Sequence, residues 1–184
     1  MGILKPSSKP NVANFLDMVI KSIDCKDAVY MVGIRGYYLN TMGKKGQNDR
    51  GIYDDAIGII SPDGVVTFNA NVDPGSFKKG IANLKTNKNP GWLYKQGIHG
   101  LSKPKSQQYM AFVQADKVTV SRDKQGDDTG YFGINIHKGR TLSVSSLGCQ
   151  TIVPSQWDSF YSLATSLMKR NGQKTIRYFL MDVI

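Results

Sequence analysis

The chain has 184 residues, of which 40% are hydrophobic, and it carries a formal net charge of +10 at pH 7. This length fits one domain, and this apolar fraction suffices for a sizeable core. All 14 acidic residues are aspartates, which excludes HExxH metalloproteases and glycosidases that use a glutamate acid, and leaves only an all-aspartate pair for glycosidase chemistry. The positive charge predicts an anionic partner or matrix, such as nucleic acid, an anionic lipid surface or bacterial cell wall.

The chain contains no stretch approaching the roughly 20 apolar residues that a membrane span needs, and its first residues lack the apolar centre of a signal peptide. We therefore expect a protein that is made in the cytoplasm, has no membrane span, and reaches a cell wall only after release by another factor. Cys25 and Cys149 are the two cysteines, and the lack of an export signal favours free thiols over a disulfide.

The first half of the chain changes from helical to strand periodicity. Residues 1–10, with two prolines and two lysines, indicate an extended tail, and residues 11–24 keep the spacing of an amphipathic helix. Residues 29–39 are rich in β-branched and aromatic side chains, which favours a strand. Residues 56–60 and 65–72 flank a Ser-Pro-Asp-Gly sequence and are predicted to form a hairpin.

A lysine-rich segment, residues 76–114, contains no acidic residue. Its lysines stand beside Trp92 and Tyr94, and such a mixture of cations and aromatic rings suits an anionic polymer or single-stranded nucleic acid. Solvated loops explain the same composition, and they are the interpretation that we favour for this segment.

The second half of the chain mixes strands with one clear helix. The predicted elements are a strand at 112–121, a turn at 123–130, a strand at 131–137, a helix at 155–170 and a strand at 175–183. The fold class predicted from these elements is a β-rich α+β fold. We expect two parts, an N-terminal tail and helix in residues 1–28 and a single catalytic domain in residues 29–184.

One pair of residues in the second half predicts chemistry. Thiolate chemistry needs a cysteine that can lose its proton, a base, and backbone N–H groups aimed at the developing oxyanion. Cys149 supplies the nucleophile, and His137, at the end of a predicted strand, supplies the base. Gly148 would let a peptide approach the backbone closely and leave the N–H of Cys149 as an oxyanion donor. Asn135 would share a face with His137 by strand alternation and orient the ring or the substrate.

The sequence around this pair resembles a known family. Residues 136–149, which read Ile-His-Lys-Gly and, after a loop, Ser-Leu-Gly-Cys, resemble the signature HG…[ST]-x-G-C of L,D-transpeptidases of the YkuD type. The resemblance covers roughly residues 130–152. It implies a β-sandwich catalytic domain, with an N-terminal helix and a helix after the catalytic cysteine.

The resemblance also implies roles for individual residues. Cys149 would form a thioester with a peptidoglycan stem peptide, and His137 would serve as its base. Gly148 would lie with Cys149 on the oxyanion side, and Ser146 matches the Ser/Thr position of the signature. These roles predict a cysteine peptidase or acyltransferase of L,D-transpeptidase type that acts on bacterial peptidoglycan.

Departures from the family signature favour hydrolysis over cross-linking. Lys138 follows the histidine and displaces the glycine to Gly139, the loop to the cysteine is short, and Thr151 stands where the family often has arginine. We therefore expect a cell-wall hydrolase that resembles phage endolysins and takes part in bacteriophage lysis. Two alternatives are an L,D-transpeptidase that forms cross-links and a non-enzymatic basic module that binds nucleic acid or wall polymer.

A structural or loop role explains the second histidine, His99, when it is taken alone; as a site residue it would line the substrate groove or replace His137 as the base. A zinc site built from His99, His137, Cys149 and an aspartate lacks the usual ligand spacing, so we expect no metal and no cofactor. We also expect a monomer without a nucleic-acid partner.

Overall fold

The computed structural model describes residues 2–19, 22–144 and 146–183. The helices are α1 (Val12–Val19) and α2 (Pro154–Arg170). The strands are β1 (Tyr30–Arg35), β2 (Asp55–Ser61), β3 (Gly64–Asn71), β4 (Ala82–Leu84), β5 (Asn87–His99), β6 (Tyr109–Gln114), β7 (Val118–Arg122), β8 (Gly126–Gly130), β9 (Ile136–Lys138), β10 (Gln150–Ile152) and β11 (Thr175–Asp182). Within the described ranges, no helix is long and apolar enough to cross a bilayer.

Eight of these strands close into one barrel, in the order β1–β11–β5–β6–β9–β10–β3–β2, while β4, β7 and β8 form a separate small sheet. The predicted β-rich α+β class is confirmed. The expected sandwich of two packed sheets is replaced by a closed barrel. The closure depends on β9 and β10, which pair with each other in parallel and join β6 to β3 through antiparallel contacts. These two short strands thereby pair what would otherwise be exposed sheet edges.

Helix α2 packs its apolar face against the barrel. The ring of Phe160 meets Phe68 edge-on at 5.1 Å between centroids, and Trp157 lies beside it at 5.7 Å. Such aromatic pairs contribute about 0.5–1.5 kcal/mol beyond their burial. The helix predicted at 155–170 is confirmed, and it begins one residue earlier because Pro154 suits the first helical position.

Some predicted strands end early or divide. The strand predicted at 29–39 ends at Arg35, because Gly36 has a φ of 70° and turns the chain away. The strand predicted at 112–121 is two strands, β6 in the barrel and β7 in the small sheet, which are separated by residues 115–117.

Other predicted elements differ from the structure in their type or in their bounds. Only the end of the predicted strand 131–137 is extended, in β9. The turn predicted at 123–130 contains β8 as well as a turn at Lys124, whose φ is 63°. The lysine-rich segment 76–114 includes the long strand β5, so solvated loops were the wrong interpretation for much of it. The helix predicted at 11–24 forms over Val12–Val19, and residues 20 and 21 lie outside the described residues.

The N-terminal tail lies along the barrel. Thr67 Oγ1 in β3 donates a hydrogen bond of 2.6 Å to the carbonyl oxygen of Pro10. At the other end of the tail, the N–H of Ile3 donates to the carbonyl oxygen of Thr141 at 2.9 Å. The tail therefore contacts the loop that connects β9 to β10.

Buried charges hold the end of β3 beside the same loop. Arg35 Nε lies 2.8 Å from Asp73 Oδ1, and Asp55 accepts hydrogen bonds from two backbone N–H groups at 2.5 and 2.7 Å. Burial and the neighbouring Asp73 raise the pKa of Asp55 well above its ordinary value. Just beyond, the N–H of Gly75 donates to the carbonyl oxygen of Ser146 at 2.8 Å, so this corner supports the segment that carries the predicted nucleophile.

Candidate active site

A cavity of about 1180 Å³ opens where the end of β5, the start of β6 and the segment from Tyr131 to Arg140 face the turn before β10. Cys149, His137, Asn135 and His99 all line it. The structure thus brings together four of the six residues predicted as site residues. Gly148 and Ser146 are buried in the turn that precedes β10 and are outside the lining.

The thiol of Cys149 rests against the backbone of the segment before β9. Cys149 Sγ donates to the carbonyl oxygen of Gly133 at 3.3 Å and accepts from the N–H of Asn135 at 3.4 Å. The residue is partly exposed to the cavity, yet the surrounding protein desolvates its sulfur. Burial raises the pKa of Cys149, while the N–H of Asn135 and the charge of Lys103 lower it by less. The resting thiol is therefore neutral and needs a base to become a nucleophile.

His137 is buried, with 4% of its surface exposed, and its orientation is set by a backbone carbonyl. His137 Nδ1 lies 2.8 Å from the carbonyl oxygen of Lys138. Because a carbonyl oxygen can only accept, the proton belongs on Nδ1 and the lone pair on Nε2. Tyr109 Oη lies 3.2 Å from His137 Nδ1 and donates to the same carbonyl at 3.2 Å. The carbonyl of Lys138 thus takes the orienting position that a carboxylate holds in a catalytic triad.

The imidazole of His137 is neutral across the physiological range. Burial, and after it the neighbouring His99, lower its pKa to about 3 against the opposing effect of the hydrogen bond to Lys138. In the described residues, no hydrogen bond joins His137 to Cys149 Sγ, although both line the same cavity. Catalytic hydrogen bonds are often long in unliganded enzymes and shorten when substrate binds.

His99 and Asn135 link His137, the predicted base, to Cys149, the predicted nucleophile. The ring of His99 stacks on that of His137, with centroids 4.0 Å apart and an interplanar angle of 21°. Asn135 Nδ2 lies 3.1 Å from His99 Nδ1, and the backbone N–H of Asn135 contacts Cys149 Sγ. Asn135 precedes β9 and therefore reaches the cavity without the predicted strand alternation. Two stacked cations would repel, so His99 favours the neutral form of His137.

Gly148 and Ser146 shape the turn that presents Cys149. Gly148 has a φ of 140°, and a Cβ at this position would lie 2.6 Å from the carbonyl oxygen of Ala82. Its N–H donates to Ser146 Oγ at 3.0 Å, and Ser146 Oγ donates to the carbonyl oxygen of Cys149 at 2.6 Å. Gly148 thus permits close approach of Ala82, where a substrate was expected, and its N–H is occupied. In the described part of the chain, the N–H of Cys149 has no acceptor and remains the candidate oxyanion donor.

We expect Gly148→Ala to lower activity by on the order of 10²-fold, since an added Cβ displaces the turn from Ala82 and misplaces the thiol. The assay is the cell-wall peptide cleavage that the sequence predicts, with thermal unfolding measured in parallel. Gly126→Ala is the matched control, because Gly126 also has a positive φ, of 90°, but nothing lies within 4 Å of its added Cβ. Unchanged activity in Gly148→Ala, or an equal loss in both variants, would contradict this account of the turn.

Sequence reasoning missed three residues that support the site. Tyr109 reaches the base from β6. Gln114 Oε1 accepts hydrogen bonds from the N–H groups of Phe132 and Ile134 at 3.1 and 3.2 Å, which holds the segment against which Cys149 rests. Lys103 extends into the cavity from the loop after β5. Strand pairing brings Tyr109 and Gln114 to the site, the loop after β5 brings Lys103, and no local motif marks any of them.

Among the described residues, no three His, Cys, Asp or Glu side chains cluster as a metal site requires. The chemistry that these side chains can perform without a metal is nucleophilic attack by a thiol, assisted by a neutral imidazole.

Comparison of the chain with protein-family models, with curated proteins and with solved structures finds no match.

Proposed function

We propose that the protein is a cysteine hydrolase that cleaves peptides of bacterial peptidoglycan through an acyl-thioester on Cys149. The observation that carries this proposal is the shared cavity, in which a partly exposed thiol and a neutral, tautomer-fixed histidine face the same space. A structural cysteine or histidine needs neither access to a cavity nor a fixed lone pair.

Acylation begins with a proton transfer. Because the thiol pKa is raised and the imidazole pKa is lowered, the neutral pair is the resting state, and His137 acts as a general base during attack. His137 Nε2 takes the thiol proton as Cys149 Sγ bonds to the carbonyl carbon of the peptide. The π electrons of that carbonyl move to its oxygen.

The tetrahedral intermediate then collapses to a thioester. The N–H of Cys149 is the donor for the oxyanion, and Ser146 helps to hold that N–H in place through its bond to the Cys149 carbonyl oxygen. The C–N bond breaks, and the leaving nitrogen takes the proton from the His137 imidazolium. The products of this step are an amine and an acylated Cys149, with His137 neutral again.

Water resolves the thioester in the second half of the reaction. His137 removes a proton from water, the hydroxyl oxygen bonds to the acyl carbon, and the sulfur leaves and regains the proton. The cavity is open at its rim, where Leu101 and Leu147 are 74% and 73% exposed. An open rim lets water reach the thioester, which favours hydrolysis. Cross-linking instead requires that the thioester be protected from water until a second peptide binds.

Peptidoglycan is proposed as the substrate on two grounds from the sequence. The segment of roughly residues 130–152 resembles the L,D-transpeptidase signature, and the net charge of +10 suits an anionic wall. An endolysin-like protein, released to the wall after synthesis in the cytoplasm, combines these features. The cavity suits a peptide, because its lining combines apolar side chains with cationic ones.

Digestion of purified peptidoglycan, followed by mass spectrometry of the muropeptides, tests this function. We expect new stem peptides that carry one added water, and none of them when Cys149→Ser protein replaces the wild type. Cross-linked dimers, or exchange of an added D-amino acid into the peptide terminus, would instead indicate an L,D-transpeptidase. Wall binding without any new product would indicate a non-enzymatic binding module.

A further inference from the structure

Within residues 2–19, 22–144 and 146–183, Arg140 differs from the other arginines because its side chain has no partner. Each of the others lies within 4.0 Å of an aspartate carboxylate: Arg35, Arg50, Arg122, Arg170 and Arg177. In the described residues, the side chain of Arg140 has neither an ion pair nor a hydrogen bond. Its guanidinium therefore keeps all five donors free in a chain that otherwise pairs its arginines.

The backbone of Arg140 is held firmly although its side chain is exposed. Its carbonyl oxygen accepts a hydrogen bond of 2.9 Å from Tyr53 Oη, and its N–H donates to the carbonyl oxygen of Ser143 at 3.2 Å. The preceding Gly139 is packed so closely that a Cβ would meet Tyr53 Oη. The backbone of Arg140 is therefore fixed beside the cavity, which Arg140 lines together with Cys149, and its charge acts on His137.

The charged residues that line this cavity are all cationic. Lys103 and Lys138 line it beside Arg140, and none of the lining residues in the described part of the chain is acidic. The charges reach the catalytic pair: after burial and His99, Lys103 and Arg140 lower the pKa of His137 further. An anionic group bound here would offset both charges and make His137 a stronger base while substrate is present.

We propose that Arg140, assisted by Lys103, forms a subsite that binds a free carboxylate of the peptide substrate next to the bond that Cys149 attacks. This inference rests on the proposed peptidase function and specifies its substrate class as acidic peptides. The planar guanidinium offers two parallel N–H donors to the two oxygens of a carboxylate. Phosphate fits the same fork, but a peptide substrate supplies carboxylates, and the apolar rim suits a peptide.

The binding test uses the full chain with Cys149→Ala, which removes turnover but leaves Arg140 in place. Isothermal titration compares a synthetic stem tetrapeptide with a free terminal carboxylate and the same peptide as its terminal amide. We expect the acid to bind roughly tenfold or more tightly, because charge-assisted hydrogen bonds are the stronger kind. Adding Arg140→Gln should bring this preference close to one, and Arg140→Lys should keep only part of it, because lysine is a point charge.

Arg170→Gln, also in the Cys149→Ala chain, is the matched control. It removes one arginine charge from an exposed position in α2 that is paired with Asp63, so it should leave the acid-to-amide preference unchanged. A preference that survives Arg140→Gln, falls equally in Arg170→Gln or is absent from the start would overturn the subsite. Inorganic phosphate that competes better than acetate would make the ligand a phosphate rather than a peptide carboxylate.

Turnover by the wild-type protein tests the carboxylate subsite separately from the proposed peptidase function. If acid and amide peptides are cleaved with equal kcat/KM, and Arg140→Gln changes neither, the subsite is wrong and the peptidase stands. If no peptide is cleaved but the preference for the acid depends on Arg140, the peptidase is wrong and the subsite stands. We expect Arg140→Gln to raise KM for the acid peptide roughly tenfold with a smaller change in kcat.

Discussion

Cys149→Ser should reduce cleavage of peptidoglycan peptides to the background rate while the fold is retained. A hydroxyl at this position can keep both contacts of the thiol, which donates to Gly133 and accepts from Asn135. It is nevertheless a poorer nucleophile for an imidazole base to activate, because its proton is far less acidic than that of a thiol. The measurement is release of soluble muropeptides, with circular dichroism and thermal unfolding recorded on the same sample.

Cys149→Ala and Cys25→Ala complete this experiment. The alanine variant should be as inactive as the serine variant. Cys25→Ala should keep full activity, because Cys25 packs beside α1 in the cluster that contains Tyr30 and is absent from the cavity lining. Activity that persists without the thiol of Cys149, in protein with an unchanged unfolding temperature, would end the proposal of a cysteine enzyme.

Replacement of His137 should produce the second large loss. His137→Gln keeps a polar side chain of similar reach but offers no base, so we expect kcat/KM to fall by about 10²–10⁴-fold, the usual contribution of general base catalysis. His99→Gln should cost less, because the contacts of His99 are a stack on His137 and a hydrogen bond to Asn135, whereas a backbone carbonyl fixes the tautomer of His137 with its lone pair on Nε2. A larger loss in His99→Gln than in His137→Gln would exchange the two roles.

The pH profile gives an independent measure of His137. Because its pKa is lowered to about 3, the base is already deprotonated at mildly acidic pH, and kcat/KM should stay nearly level from about pH 7 to about pH 5, unlike that of a histidine with an ordinary pKa of about 6.5. A drop by half near pH 6.5 would show that the histidine titrates normally.

The same pKa shift has a consequence for stability. The unfolded chain binds a proton at His137 below about pH 6.5, whereas the folded chain does so only near pH 3. The stabilising effect of the neutral buried ring is therefore fully present above about pH 6.5 and is lost as pH falls from there toward 3. Activity at low pH should be measured only where the fold is shown to persist.

Local patterns predicted those parts of the fold in which local sequence decides the structure. The hairpin around Gly64 and helix α2 follow from turn chemistry and from a regular apolar face. The strand predicted through residue 39 failed at Gly36, whose positive φ a sequence pattern does not reveal. The predicted sandwich failed because barrel closure depends on two three-residue strands, too short to leave a periodic signal.

The candidate site divides in the same way between local and distant residues. Cys149 and His137 are close in sequence and carry a recognisable motif, so they were predicted. Tyr109 lies 28 positions from His137 and Arg35 lies 38 positions from Asp73, and only pairing and burial bring such residues together. Arg140 belongs to no sequence motif either. It could be singled out only from the structure, in which every other arginine pairs with an aspartate in the described residues.

Strands β1 and β11 pair in parallel although they lie near opposite ends of the sequence, so the barrel depends on contacts between residues that are far apart in the chain. Tyr30 pairs with Arg177 and Arg35 with Asp182, so the barrel cannot close on a ribosome until the strand near residue 182 has emerged. Folds that depend on such long-range pairing fold more slowly than those built from neighbouring segments. The candidate cavity opens between strands of this barrel, so a nascent chain carries Cys149 without an assembled site around it from residue 149 until β11 has been made.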